Sequence, residues 1–147
     1  MASVGAKVGA KKGDRGAVKA RHGGIVALDH ISMPVRRLKE ARRFYVAALG
    51  AIGMKINLDV STAFGFGSRN QKIFWITRDA RASGGGHYAF RVAGRQAVDA
   101  FHAAALAAGG RDHGQPGPRP DQGKHYYAAF IKDGENNNIE VVCYAAR

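Results

Sequence analysis

The chain repeats itself. Phe44-Tyr45-Val46-Ala47-Ala48-Leu49 matches Phe101-His102-Ala103-Ala104-Ala105-Leu106 without a gap, and the two runs lie 57 positions apart. His30 and His87 are separated by the same 57 positions. Ala-rich helices match easily by chance, but two independent features at one offset argue for a duplicated unit, whose internal symmetry then defines the fold.

Hydrophobic periodicity gives each half the same order of elements, βαβββ. In the first half a β-rich run covers residues 25–31. A helix is expected over residues 35–49, with Leu38, Ala41, Tyr45 and Ala48 at helical spacing and Arg36, Lys39, Glu40 and Arg43 on the wet side. Gly50 and Gly53 fit its stop. Strands are expected at 54–60, 63–67 and 72–77, and a polar loop over 78–86 closes the unit. In the second half a strand at 87–92 leads to a helix over 95–108, with Val98, Phe101 and Ala105 inward, stopped by Gly109-Gly110. Strands at 126–132 and 138–144 follow, with a weaker one near 111–115. The expected organisation is a basic tail over residues 1–24 and a domain over 25–147, with units at about 25–78 and 86–144.

Composition limits what such a domain can be. At 147 residues and 46% hydrophobic, the chain suits one compact domain and not a disordered one. No apolar run approaches the roughly 18 residues of a membrane span. Cys143 stands alone, which excludes an intrachain disulfide and a Cys-rich zinc site. The net charge is +12, and residues 1–24 carry six basic side chains against Asp14 alone. Without an apolar core this segment is not a secretory signal, so a cytoplasmic location is expected. Without aromatics, any nucleic-acid contact it makes is non-specific phosphate binding.

Three polar residues interrupt otherwise apolar strands: His30, His87 and Glu140. Period-2 alternation puts Glu140 on a face with Val142 and Tyr144, His87 with Ala89 and Arg91, and His30 with Ser32. A carboxylate on such a face must be paired, hydrated or bound to metal. If the three faces converge, they form a two-His, one-carboxylate site suited to Fe, Mn, Co, Ni or Zn. The structural alternative is a pair of hydrogen-bonded histidines, with Glu140 neutralised by Arg91 or Lys132. One of Tyr126 and Tyr127 faces the same cavity as a candidate proton donor, with His125 beside it. Arg91 suits a substrate carboxylate or phosphate. Trp75 reads as a stacking wall or as core filler, and Ser32 joins it as a substrate contact. Cys143, on the opposite face, reads as a buried hydrophobe. The glycine-rich stretches match neither a Walker A loop nor a dinucleotide fingerprint.

Leu28-Asp29-His30-Ile31, the helical segment at residues 41–50, His87-Tyr88-Ala89-Phe90 and Asp133-Gly134-Glu135-Asn136-Asn137-Asn138-Ile139-Glu140 together resemble the vicinal-oxygen-chelate superfamily. That superfamily includes glyoxalase I, bleomycin-resistance proteins, fosfomycin-resistance enzymes and extradiol dioxygenases. The resemblance implies an α+β fold in which two tandem βαβββ units form a curved mixed sheet around a cavity, with helices outside. It implies His30, His87 and Glu140 as ligands of a divalent metal, and a small substrate that chelates through two adjacent oxygens. It also implies a homodimer, some members building their sites across chains. Glyoxalase I has a fourth ligand, a glutamate, on the last strand of the first unit, where Trp75 falls here. The fosfomycin-resistance thiol transferases share His87-Tyr88-Ala89-Phe90, but their serine-rich loop is replaced here by Asp121-Gln122-Gly123-Lys124-His125. The resemblance therefore implies a metal-dependent enzyme of lyase, isomerase or dioxygenase type, with Glu140, Tyr126 and His125 as catalytic candidates. A binding protein of the bleomycin-resistance kind is the non-catalytic alternative.

Overall fold

The computed structural model describes residues 28–67 and 71–146. The basic tail at 1–24, and with it the phosphate-binding expectation, lies outside them. The first unit runs β1 (Ile31–Val35), α1 (Leu38–Gly50), β2 (Lys55–Val60), β3 (Ala63–Gly67) and β4 (Phe74–Arg78). The second runs β5 (His87–Arg91), α2 (Arg95–Ala107), β6 (Arg111–Pro118), β7 (Tyr127–Lys132) and β8 (Asn138–Cys143). The eight strands divide into two four-stranded mixed sheets, ordered β1-β4-β3-β2 and β5-β8-β7-β6. Each sheet has one parallel pair, β1 with β4 and β5 with β8, so the duplication extends to the topology.

Two elements differ from the sequence reading. The first strand begins at Ile31, where the expected strand ended, and α1 begins at Leu38 instead of residue 35. Residues 25–27 of the expected strand lie outside the described part of the chain. Pro34 hides β1 from sequence inspection because it lacks a backbone donor. The strand forms because β1 is an edge, where a missing N–H costs little. Met33 and Val35 then both point into the core, completely or almost completely buried. The weak strand expected near 111–115 is β6, extended to Pro118 through two register irregularities.

The inner faces of both sheets meet in one core. Met33, Val35, Phe74 and Ile76 of the first sheet and Ile139, Val141 and Cys143 of the second belong to it, with Phe44, Tyr45, Val98 and Phe101 from the helices. Phe74 binds the halves together, edge-on to Tyr88 at 5.6 Å and to Phe90 at 5.2 Å. Helix α1 packs on α2, β2 and β4, and α2 on β6, β7 and β8. Strand alternation then sends Ser32, Pro34 and Trp75 to the outer face of one sheet and His87, Ala89, Arg91 and Glu140 to the outer face of the other.

A buried acid loop joins the units. Asp133 accepts the hydroxyl of Tyr45 at 2.7 Å, the side-chain amide of Asn137 at 2.8 Å and the backbone N–H groups of Glu135 and Asn137. Glu135 Oε1 accepts the backbone N–H groups of Arg36 at 2.7 Å and Arg37 at 2.8 Å. Helix α1 has no side-chain cap of its own, so a carboxylate from the other unit caps it. Asn136 takes φ 67°, a left-handed conformation that Asn tolerates.

Candidate functional site

On the outer face of the second sheet, His87 Nε2 lies 2.9 Å from Glu140 Oε2. The Tyr126 hydroxyl donates to Glu140 Oε1 at 2.5 Å. Register explains the arrangement. Ala89 is directly opposite Glu140 on neighbouring strands, and Glu140 is opposite Phe130 on the next, so the His87 and Tyr126 side chains reach it from either side. Glu140 is only 3% exposed, and it is satisfied by these two groups, not by Arg91 or Lys132. Lys132 instead reaches the Asn136 carbonyl. Burial, and then the hydrogen bond to Glu140, hold the Tyr126 hydroxyl well above the ordinary tyrosine range.

The two tyrosines of the pair part company. Tyr126 serves the site, whereas Tyr127 donates to Asp99 at 2.8 Å and lies under the Arg95 guanidinium. His125 is exposed in the turn before β7 and makes none of these contacts. Arg91 stacks on the Tyr144 ring, 4.6 Å from its centroid, and Tyr144 is edge-on to Tyr126 at 5.2 Å. The sequence reading left Tyr144 as a face-mate of Glu140 only. Its exposure, 45% for a large aromatic, is visible only in three dimensions.

His30 is elsewhere. It precedes β1 on the outer side of the first sheet, half-exposed, with Nδ1 2.6 Å from Asp29 Oδ1 and its ring edge-on to Trp75 at 6.4 Å. Among the described residues no three His, Cys, Asp or Glu side chains are grouped to hold one metal ion. Within one chain, therefore, His87 and Glu140 come together and His30 does not join them. Trp75 donates its indole N–H to the Lys72 carbonyl at 3.2 Å and lies over Gly65, where a Cβ would sit 3.4 Å from the ring. Ser32 is exposed on the same face.

A cavity of about 560 Å³ lies apart from both faces, between α1, the end of α2 and the Asp133–Glu135 loop. Asp133 and Oε1 of Glu135, which line it, are committed to the structural hydrogen bonds described above, whereas Oε2 of Glu135 is buried without a hydrogen bond, 3.5 Å from Arg36 Nε. It contains neither histidine nor Glu140.

The sequence profile of the Glyoxalase/Bleomycin resistance protein/Dioxygenase superfamily matches residues 27–141. The chain belongs to that superfamily. Among solved structures it is similar to a glyoxalase/bleomycin resistance protein from Albidiferax ferrireducens, at 26% identity and TM-score 0.69, covering 80% of this chain and 98% of that one. It shares its fold with a lactoylglutathione lyase from Agrobacterium tumefaciens, at 19% identity and TM-score 0.62, covering 82% and 95%. A glyoxalase-related enzyme from Fulvimarina pelagi is similar at 16% identity and TM-score 0.64, covering 81% and 88%. A comparison with curated proteins finds no match.

Proposed function

We propose that this protein is a metal-dependent, glyoxalase-like enzyme whose site is completed between two copies of the chain. The observation that carries the reading is the division of the candidate ligands. His87 and Glu140 stand on the outer face of one sheet, His30 and Trp75 on the outer face of the other, and the shared core separates the inner sides. A twofold dimer that covers each second-unit face with a partner's first-unit face brings His30 of the partner subunit to His87 and Glu140.

The residues fit a divalent ion. His87 Nε2 and Glu140 Oε2 are 2.9 Å apart, and these two side chains would hold the ion together. Imidazole and carboxylate donors suit Fe, Mn, Co, Ni or Zn. When bound, the ion supplies Lewis acidity toward two adjacent oxygens of a substrate. The chain's own groups do the rest. Tyr126 fixes the Glu140 carboxylate and holds a proton beside it. Trp75 and Ser32 of the partner subunit wall the opposite side.

Co-assembly of His30→Ala and His87→Ala chains tests the reading. Each variant alone is expected to lose metal in elemental analysis. The mixed dimer regains one intact site, hence about half the wild-type content. Wild-type protein that takes up no Fe, Mn, Co, Ni or Zn, or mixed dimers that regain none, overturns it.

One observation favours a second reading. An indole stands where a fourth carboxylate would stand, which suits a binding protein that stacks a planar ligand without metal. Ligand binding that survives EDTA identifies that case.

A further inference from the structure

The outer face of the second sheet carries a continuous row of contacts: Arg91 on Tyr144, Tyr144 against Tyr126, Tyr126 to Glu140, and Glu140 to His87. Four of these five groups are explained by the carboxylate–imidazole pair and its support. Arg91 is not. Its side chain is exposed, two residues along β5 from Ala89, the residue opposite Glu140. Among the described residues it forms no ion pair and no side-chain hydrogen bond, and its one close partner is the face of a ring. Its five N–H donors therefore lie in one plane with no side-chain or backbone acceptor among the described residues.

A guanidinium stacked on tyrosine has lost part of its side-chain freedom before any ligand arrives. That is the preparation a bidentate anion contact needs, because less ordering remains for the binding step. Charge placement agrees. Glu140, the acid on this face, is engaged by His87 and Tyr126 and forms no ion pair with Arg91.

We infer that Arg91 anchors an anionic group, a carboxylate or phosphate, on the substrate that the His87–Glu140 pair serves. The inference rests on the proposed function for the location of the reacting end and adds the substrate's chemical class. The substrate carries two adjacent oxygens at one end and an anion at the other, separated along the row of tyrosines.

Two measurements test it. In EDTA-treated protein, inorganic phosphate is titrated while arginine Nε–Hε resonances are followed by NMR. The Arg91 signal is expected to shift saturably, with a dissociation constant at least tenfold below that of Arg81, whose side chain is 92% exposed. Tyr144→Leu is expected to weaken the Arg91 site several-fold. An Arg91 response no stronger than that of Arg81 overturns the inference. In Ni-loaded protein, acetohydroxamate is then compared with succinic monohydroxamate, which adds a carboxylate, by calorimetry. The carboxylate is expected to gain about tenfold in wild type and nothing in Arg91→Gln, with acetohydroxamate unchanged by the substitution. Equal binding of the two in wild type overturns the anchor. If neither hydroxamate binds while the phosphate site persists, the metal reading fails and the anion site stands.

Discussion

Trp75 occupies in the first unit the place that Glu140 occupies in the second. Ser32 is paired across the parallel ladder with Trp75, and Ala89, 57 positions after Ser32, is paired in the same way with Glu140. The two units thus present unlike groups at one equivalent position, an indole and a carboxylate. Beneath the indole, Gly65 leaves room for the ring; beneath the carboxylate, the equivalent β7 position holds Phe130.

This equivalence predicts a gain of ligand. Trp75→Glu adds a carboxylate to the His30 face. Under the proposed assembly it is expected to tighten Ni or Zn binding by roughly 10- to 100-fold, the scale on which changes around a metal site move affinity. Competition against a chromophoric chelator measures it. Unchanged affinity in a folded dimer means that this face does not meet the His87–Glu140 pair.

Glu135 is the remote cap of α1, and its loss leaves two N–H groups at the helix start without an acceptor. Glu135→Ala is expected to cost about 2 kcal/mol in urea unfolding. Glu135→Gln keeps the accepting oxygen and is expected to cost less than half as much.

Gly84 lies against the same loop. It adopts φ +67°, and a Cβ there would fall 1.8 Å from the Glu135 carbonyl oxygen. Gly84→Ala must displace that backbone and is expected to destabilise by about 2–3 kcal/mol. Because the displaced segment carries the cap, Gly84→Ala and Glu135→Ala are expected to be non-additive in a double-mutant cycle.

Tyr45 gives the fold an alkaline limit. Burial, and then the Asp133 charge and the hydrogen bond to Asp133, raise its ionisation well above the ordinary tyrosine value. The unfolded chain releases that proton at about pH 10, whereas the folded chain keeps it. The unfolded state thus binds fewer protons above that pH, and stability falls as pH rises. Its contribution is present below about pH 10 and is lost at up to ~1.4 kcal/mol per pH unit above it. Tyr45→Phe is expected to flatten this decline while lowering stability near neutrality, since Asp133 loses a buried donor. Urea midpoints between pH 8 and 11 give both signs.

The sequence by itself determined the duplicated βαβββ order, the extents of β3 and α2 to within a residue, and the inward placing of Val98, Phe101 and Ala105 in α2 and of Tyr45 and Ala48 in α1, though not of Phe44 and Leu49. These follow from local periodicity, and each is fixed by a few neighbouring residues. It also marked Glu140 as a carboxylate that needed a partner, because burial of an unpaired acid is forbidden by its desolvation cost. Only the tertiary structure decided which partners those are. The choice of His87 and Tyr126 over Arg91 and Lys132 depends on strand register, which is set between segments distant in sequence. The run of β1 on to Val35 was hidden for a similar reason, since Pro34 is acceptable only because β1 lies at a sheet edge. The separation of His30 from His87 was the least legible feature. Period-2 alternation tells which residues share a face, but which way that face looks is settled by the packing of Phe74 against Tyr88 and Phe90, where two apolar sheet faces leave water together.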